Sequence, residues 1–178
     1  EGRLGGPIYN LDYFTRKALA FQDMGADSIC IKDMAGLLAP YDALELCTTL
    51  KRVLRVPLQL HTHYTSGMAS MSCLKAIEAG VDVVDACVAP LALRTSQPAV
   101  EPLIMSLDGN DNETGLDLHK LMEIGDYLEG VLPRYREHLE TPRTAVIDAR
   151  VLSHQIPGGM ASNLTSQLRE ADALDRLD

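Results

Sequence analysis

Three short apolar runs most constrain the fold of this chain. They are Asp27-Ser28-Ile29-Cys30-Ile31-Lys32, Val56-Pro57-Leu58-Gln59-Leu60-His61 and Val81-Asp82-Val83-Val84-Asp85-Ala86-Cys87. They recur about every 25 to 29 residues, and a segment with apolar residues at helical spacing bridges each pair. Strand, helix and strand at that interval make a βα unit, which sets the strands parallel and the crossovers right-handed. The competing architecture is an open doubly wound sheet. No GxGxxG follows any of the runs, so a dinucleotide fold is disfavoured.

The rest of the chain fits the same reading. Leu11, Phe14, Ala18, Phe21 and Met24 mark a helix capped by Asn10 or Asp12 and closed by Gly25. Asp33 to Pro40 is a loop, and Pro40 opens a helix that runs to about Arg55. Thr65-Ser66-Gly67 turns into a helix from Met68 to Ala79, ended by Gly80. After Pro98 the pattern changes. Ala99 to Leu107 reads as a helix, Asp108 to Asn112 as a turn cluster, and Leu116 to His138 as a long amphipathic helix. A Glu140-Thr141-Pro142 loop follows. A last segment from Ile147 carries Pro157-Gly158-Gly159-Met160 ahead of a helix from Ser162. Two regions are expected, residues 1–110 and 111–178.

Composition removes several classes. With 46% hydrophobic residues over 178 positions, the chain can bury a domain-sized core and is not disordered. No apolar run approaches the ~18 residues of a membrane span. A net charge of −9 makes the chain a poor nucleic-acid binder. Cys30, Cys47, Cys73 and Cys87 show no CxxC spacing, so reduced, buried thiols are expected over disulfides or a thiolate zinc site. No signal-peptide pattern is present, which points to a cytoplasmic setting. The absence of an initial Met and the amphipathic final residues suggest part of a longer protein.

In a parallel βα array the reacting groups gather at the C-terminal strand ends. Those ends carry Lys32-Asp33, His61-Thr62-His63 and the segment from Asp85 to Thr95. His61 and His63 are two residues apart, so in extended backbone both imidazoles point the same way. They can face one Zn²⁺, Mn²⁺ or Co²⁺ ion, or make ordinary hydrogen bonds. Two ligands do not complete a site. Lys32 ends an apolar strand, where a buried ammonium must be paired or altered. Either it pairs with Asp33, or its neutral amine takes up CO₂ as a carbamate, an anionic oxygen ligand. Thr95-Ser96-Gln97-Pro98 offers hydroxyls that cap a helix or relay a proton. Arg94 binds a carboxylate or is solvated. Pro157-Gly158-Gly159-Met160 suggests a tight turn docking the last helices, with His154 structural.

Taken in order, Asp27 to Leu38, His61-Thr62-His63 with Ser66-Gly67, Thr95 to Pro98, and His154 to Met160 with Ser162-Asn163-Leu164 resemble one family. It is the biotin-dependent carboxyltransferases of the oxaloacetate decarboxylase and pyruvate carboxylase type, and the resemblance runs from about Leu11 to Asp178. It implies an α/β fold: a partial TIM (β/α)₈ barrel, comprising the last three βα units, followed by a helical, funnel-like extension. The first five units, with an aspartate metal ligand and the arginine and glutamine that hold pyruvate, would lie outside these residues.

The resemblance also implies roles. His61 and His63 would coordinate a divalent metal, Zn, Mn or Co. Lys32 would be carboxylated and reach the same metal. Thr95 would contact biotin and shuttle a proton between it and pyruvate. Biotin would be carried on a separate domain or subunit. Expected partners are pyruvate or oxaloacetate, a biotin carboxyl carrier domain, and further copies or subunits of a complex. Two alternatives remain: a metal-dependent aldol- or Claisen-type lyase or synthase, which needs no biotin, and a non-catalytic scaffold.

Overall fold

The computed structural model describes residues 4–138 and 146–173. Helix α1 (Leu11–Asp23) opens at Asn10, whose Oδ1 accepts the Tyr13 amide at 3.0 Å. That is the N-cap exchange expected of an Asn in extended backbone. The remaining βα elements are β1 (Ile29–Asp33), α2 (Pro40–Val53), β2 (Leu58–Thr62), α3 (Ala69–Glu78) and β3 (Val83–Val84). The third strand is much shorter than its apolar run, although the Asp85 amide still bonds Leu60 O at 3.0 Å.

The strands form one parallel sheet in the order β1-β2-β3. Period-two alternation sorts their side chains. On β2, Leu58, Leu60 and Thr62 are buried while Gln59 and His61 are half-buried. The buried face packs on the two crossover helices through Leu46, Cys47 and Leu50 of α2 and Cys73 and Ala76 of α3. This apolar layer sets β2 rigidly, and its opposite face presents His61.

β1 is an edge strand. A cavity of about 340 Å³ runs along it, lined by Phe14, Ala18, Phe21, Ile29 and Leu46 among others. Lys32 and Asp33 also line it, whereas His61, His63 and Thr95 do not.

Beyond the sheet, α4 (Val100–Leu107) and α5 (Leu118–Val131) follow. The long helix expected to reach His138 stops at Val131 and continues as a 3₁₀ run, Leu132–His138, kinked at Tyr135. Pro133 lies in that run and has no amide to donate, so it cannot extend the α-helical ladder. The Glu140-Thr141-Pro142 loop lies outside the described residues. The final segment holds α6 (Val151–His154) and α7 (Gly158–Glu170). Here the glycine pair differs from expectation. It is the first turn of α7, with Pro157 as N-cap, and the helix does not wait for Ser162. No described helix is long and apolar enough to cross a membrane.

Candidate functional site

Register brings the strand ends together. Lys32 is the Cα partner of His61 across β1 and β2, and Gln59 pairs Val83 across β2 and β3. Continued by two residues, that second register sets Asp85 opposite His61. The contact follows: His61 Nδ1 lies 2.7 Å from Asp85 Oδ2. From sequence Asp85 only marks a strand end, because a cross-strand partner depends on register.

His63 points the same way as His61, as its spacing predicts. Its Nδ1 donates to the Thr95 carbonyl, and its Nε2 lies 3.2 Å from His61 Nε2. Gln97 Nε2 is 3.4 Å from the same His63 nitrogen. The acceptors at the two Nδ1 atoms decide the tautomers. A carbonyl only accepts, and an ionised carboxylate only accepts. Both imidazoles therefore carry their proton on Nδ1, which leaves two Nε2 lone pairs facing each other. The Gln97 amide can donate to the His63 lone pair, and a metal ion between the two rings would take up both. Two nitrogens about 2.0–2.1 Å from one ion lie roughly 2.9–3.4 Å apart at right-angle or tetrahedral geometry. The observed separation fits, so this donor set suits a divalent metal. Among the described residues no group of three or more His, Cys, Asp or Glu side chains is gathered for an ion, so further ligands must be of another kind or come from elsewhere.

Lys32 is exposed, not buried. A Lys32–Asp33 salt bridge, one of the two readings open from sequence, does not form. Asp33 instead accepts the Leu37 and Leu38 amides at 2.9 Å each and the Thr62 hydroxyl at 2.8 Å. The carboxylate is thus a clamp for the loop after β1. Ser66 donates to Gly36 O, and the fully buried Ser72 donates to Leu38 O at 2.6 Å, tying that loop to α3. Gly36 is required here: φ is +67, and a Cβ would stand 2.3 Å from His63 O. The loop after β1 therefore supports the backbone of His63.

Thr95 is half-buried beside His63 and is not a helix cap. Helix α4 begins at Val100 with Ala99 as N-cap and no side-chain cap bond. Thr95 instead follows two non-glycine residues in left-handed backbone, Leu93 (φ 68) and Arg94 (φ 53). Such conformations cost about 1–2 kcal/mol per residue and gather at functional sites. The bonds Leu93 N to Gln97 O and Ser96 N to Leu93 O, both 2.8 Å, hold the turn closed. Neither residue type announces this strain in sequence. His154 is exposed and accepts the Ile156 amide at 3.0 Å, a structural role as expected.

The thiols are all free, but Cys30 is exposed and Cys87 only half-buried. Burial pushes Cys47 up to about 11 and Cys73 up to about 12. Cys30 is raised by partial burial and then by the Asp85 charge.

The family model described as "HMGL-like" matches residues 9–128, and the "Conserved carboxylase domain" model matches residues 151–178. The chain belongs to the HMGL-like family. A pyruvate carboxylase subunit from Methanocaldococcus jannaschii is 48% identical to this HMGL-like chain over 172 residues, 97% of the chain and 30% of that relative. Among solved structures, the carboxyl transferase domain of Rhizobium etli pyruvate carboxylase with pyruvate superposes at a TM-score of 0.88. It is 36% identical and covers 99% of this chain and 30% of that one. The same domain with pyruvate and biocytin gives 0.85 at 38% identity, covering 96% and 28%. The resemblance to the biotin-dependent carboxyltransferases is borne out. The HMGL-like chain spans 30% of the length of the Methanocaldococcus jannaschii and Methanothermobacter thermautotrophicus relatives.

Proposed function

We propose that this chain is the C-terminal part of a carboxyltransferase barrel, moving a carboxyl group between carboxybiotin and a keto acid, pyruvate or oxaloacetate. The observation that carries this reading is the pair of converging His61 and His63 lone pairs, with the Thr95 loop bonded to one of the two rings. Three parallel strands cannot close a barrel, and parallel sheets are normally covered on both faces. The exposed Cys30 and Lys32, on the face that bears His61, support completion by further βα units. The barrel portion corresponds to residues 1–110 and the helical extension to 111–178. Free thiols accord with a cytoplasmic setting. A separate biotin carrier domain and assembly into a multi-subunit or homo-oligomeric complex belong to the same reading.

Held at this site, a divalent ion would supply positive charge against the negative charge that develops on the keto acid, and biotin would carry the carboxyl group. This chain's residues do the rest. His61 and His63 would hold the ion through Nε2, with Asp85 and the Thr95 carbonyl fixing ring orientation. Lys32, beside His61 in register, adds an anionic oxygen when carboxylated. Thr95 Oγ1 would carry the proton between biotin N1 and carbon 3 of the keto acid. The braced loops after β1 and β2 keep these groups in place.

The test is biotin-stimulated conversion of oxaloacetate to pyruvate by the completed barrel, with and without a chelator. Stimulation by biotin and loss with chelator support the reading. Metal-dependent cleavage indifferent to biotin would mean a lyase, and a purified protein devoid of metal would mean a scaffold.

Two variants probe the ligand shell. Asp85→Asn should weaken metal binding about 10- to 100-fold, the usual cost of losing an outer-shell carboxylate; titration of the apo protein with Zn²⁺ measures it. Lys32→Ala and Lys32→Arg should both lose activity and most metal affinity, since a guanidinium stays charged and forms no carbamate. Full activity in the arginine variant would show that position 32 needs only a cation.

A further inference from the structure

The last described segment is fastened to the loops of the site at three places. Ile147 lies over Gly67, its Cδ1 2.6 Å from where a Cβ at that glycine would stand. The Asp148 amide donates to Thr65 O at 2.9 Å, and the nearby Val151 is fully buried. The third place is Gly158, the first residue of α7. A Cβ there would stand 2.3 Å from Thr95 Cγ2 and 3.1 Å from Thr95 Cβ, with Thr65 Oγ1 at 3.6 Å. Gly158 is not in left-handed backbone, so its φ tolerates any residue. Proximity to Thr95 alone demands the glycine. Gly159, one residue on, has nothing within 4 Å.

The contact is with the methyl group of Thr95, and this matters for the hydroxyl. A β-branched side chain has few χ1 states, and in each the methyl and hydroxyl positions are set together. With the methyl seated against the bare Cα of Gly158, the direction of Oγ1 is chosen. Thr65 backs the space from another side. It is 7% exposed, and its Oγ1 has no hydrogen-bond partner among the described residues.

We propose that Gly158 is a positioning residue for carboxyl transfer: the N-terminus of α7 selects the Thr95 rotamer by leaving room for its methyl. This rests on the reading of Thr95 as the proton relay. Ordinary carbon contacts need about 3.5 Å, so a methyl at position 158 forces Thr95 Cγ2 to retreat by about 1 Å or to change rotamer. A displacement of about 1 Å can cost on the order of 100-fold in rate.

The experiment uses the full-length enzyme and a two-by-two set of variants. Gly158→Ala should lower kcat for transfer roughly 10- to 100-fold, with KM for the keto acid, metal content and melting temperature near those of the parent. Thr95→Ser removes the methyl and keeps the hydroxyl. In the Gly158→Ala, Thr95→Ser double variant the 2.3 Å overlap is gone and only the 3.1 Å approach to Cβ remains, so kcat should recover most of the way to the level of Thr95→Ser alone. Gly159→Ala should behave as the parent. A Gly158→Ala enzyme within about twofold of the parent overturns the proposal, as does a double variant in which the two losses simply multiply. If Gly158→Ala does not fold, recovery of both fold and turnover on adding Thr95→Ser supports it, and failure to fold in both overturns it. Thr95→Ala separates the two readings. An active Thr95→Ala enzyme defeats the relay itself, whereas an inactive one beside a normal Gly158→Ala defeats only the positioning role.

Discussion

Thr95→Ala is expected to lower carboxyl transfer by about 10²- to 10⁴-fold, the range that a positioned proton relay contributes. The loss should fall on kcat and not on KM, because the relay acts in the transition state. Metal content should hold, since His63 bonds the Thr95 backbone carbonyl, which the substitution retains. A capping threonine would lose about 0.5–2 kcal/mol on truncation, but α4 starts beyond Thr95 and draws no side-chain cap. Thr95→Ser should retain part of the rate, since the hydroxyl survives while the methyl seat against Gly158 is lost. Melting temperature and transfer rate on one preparation decide the matter. An alanine variant that melts lower yet turns over normally would make Thr95 a structural residue.

What the sequence discloses about this site follows from short-range geometry. The His61 and His63 pair is legible because extended backbone repeats every two residues. Pro40 and Gly25 act through their own backbones and Asn10 through a side chain that reaches only three residues on, so the helix ends they mark are found in the structure. The misses depend on distant partners. Lys32 sits in an apolar run that reads as buried; in the three-stranded sheet its side chain is exposed, on the face that the proposed further βα units would cover. Asp33 next to a lysine suggests an ion pair. Its true partners are two amides of the following loop and a hydroxyl on β2. Asp85 finds His61 only through the register of three strands, and Gly158 meets Thr95 across 63 positions of chain. Helical periodicity runs on past Pro133, but the missing amide ends the α-helix there. Left-handed Leu93 and Arg94 carry no sequence signature, because neither is a residue that favours that conformation.

Replacing both His61 and His63 with alanine should reduce bound divalent metal to background and abolish transfer. The argument is one of tautomers and not of residue type. Asp85 and the Thr95 carbonyl hold both Nδ1 protons, so each ring has one lone pair to give, and both aim at one point. Either ring alone keeps one nitrogen ligand. Each single variant should therefore bind metal weakly and recover part of its occupancy at raised metal concentration, while the double variant should not. The singles should also differ. His61→Ala leaves the Asp85 carboxylate without its ring partner beside the vacated position, where it can itself approach a cation. His63→Ala frees the Thr95 carbonyl and loosens the loop that carries the proposed relay. Hence His63→Ala should lose more turnover per ion bound than His61→Ala. Elemental analysis paired with transfer rate reads both effects. Unchanged metal content in the double variant would show that the two rings face each other for another reason and would remove them from the metal site.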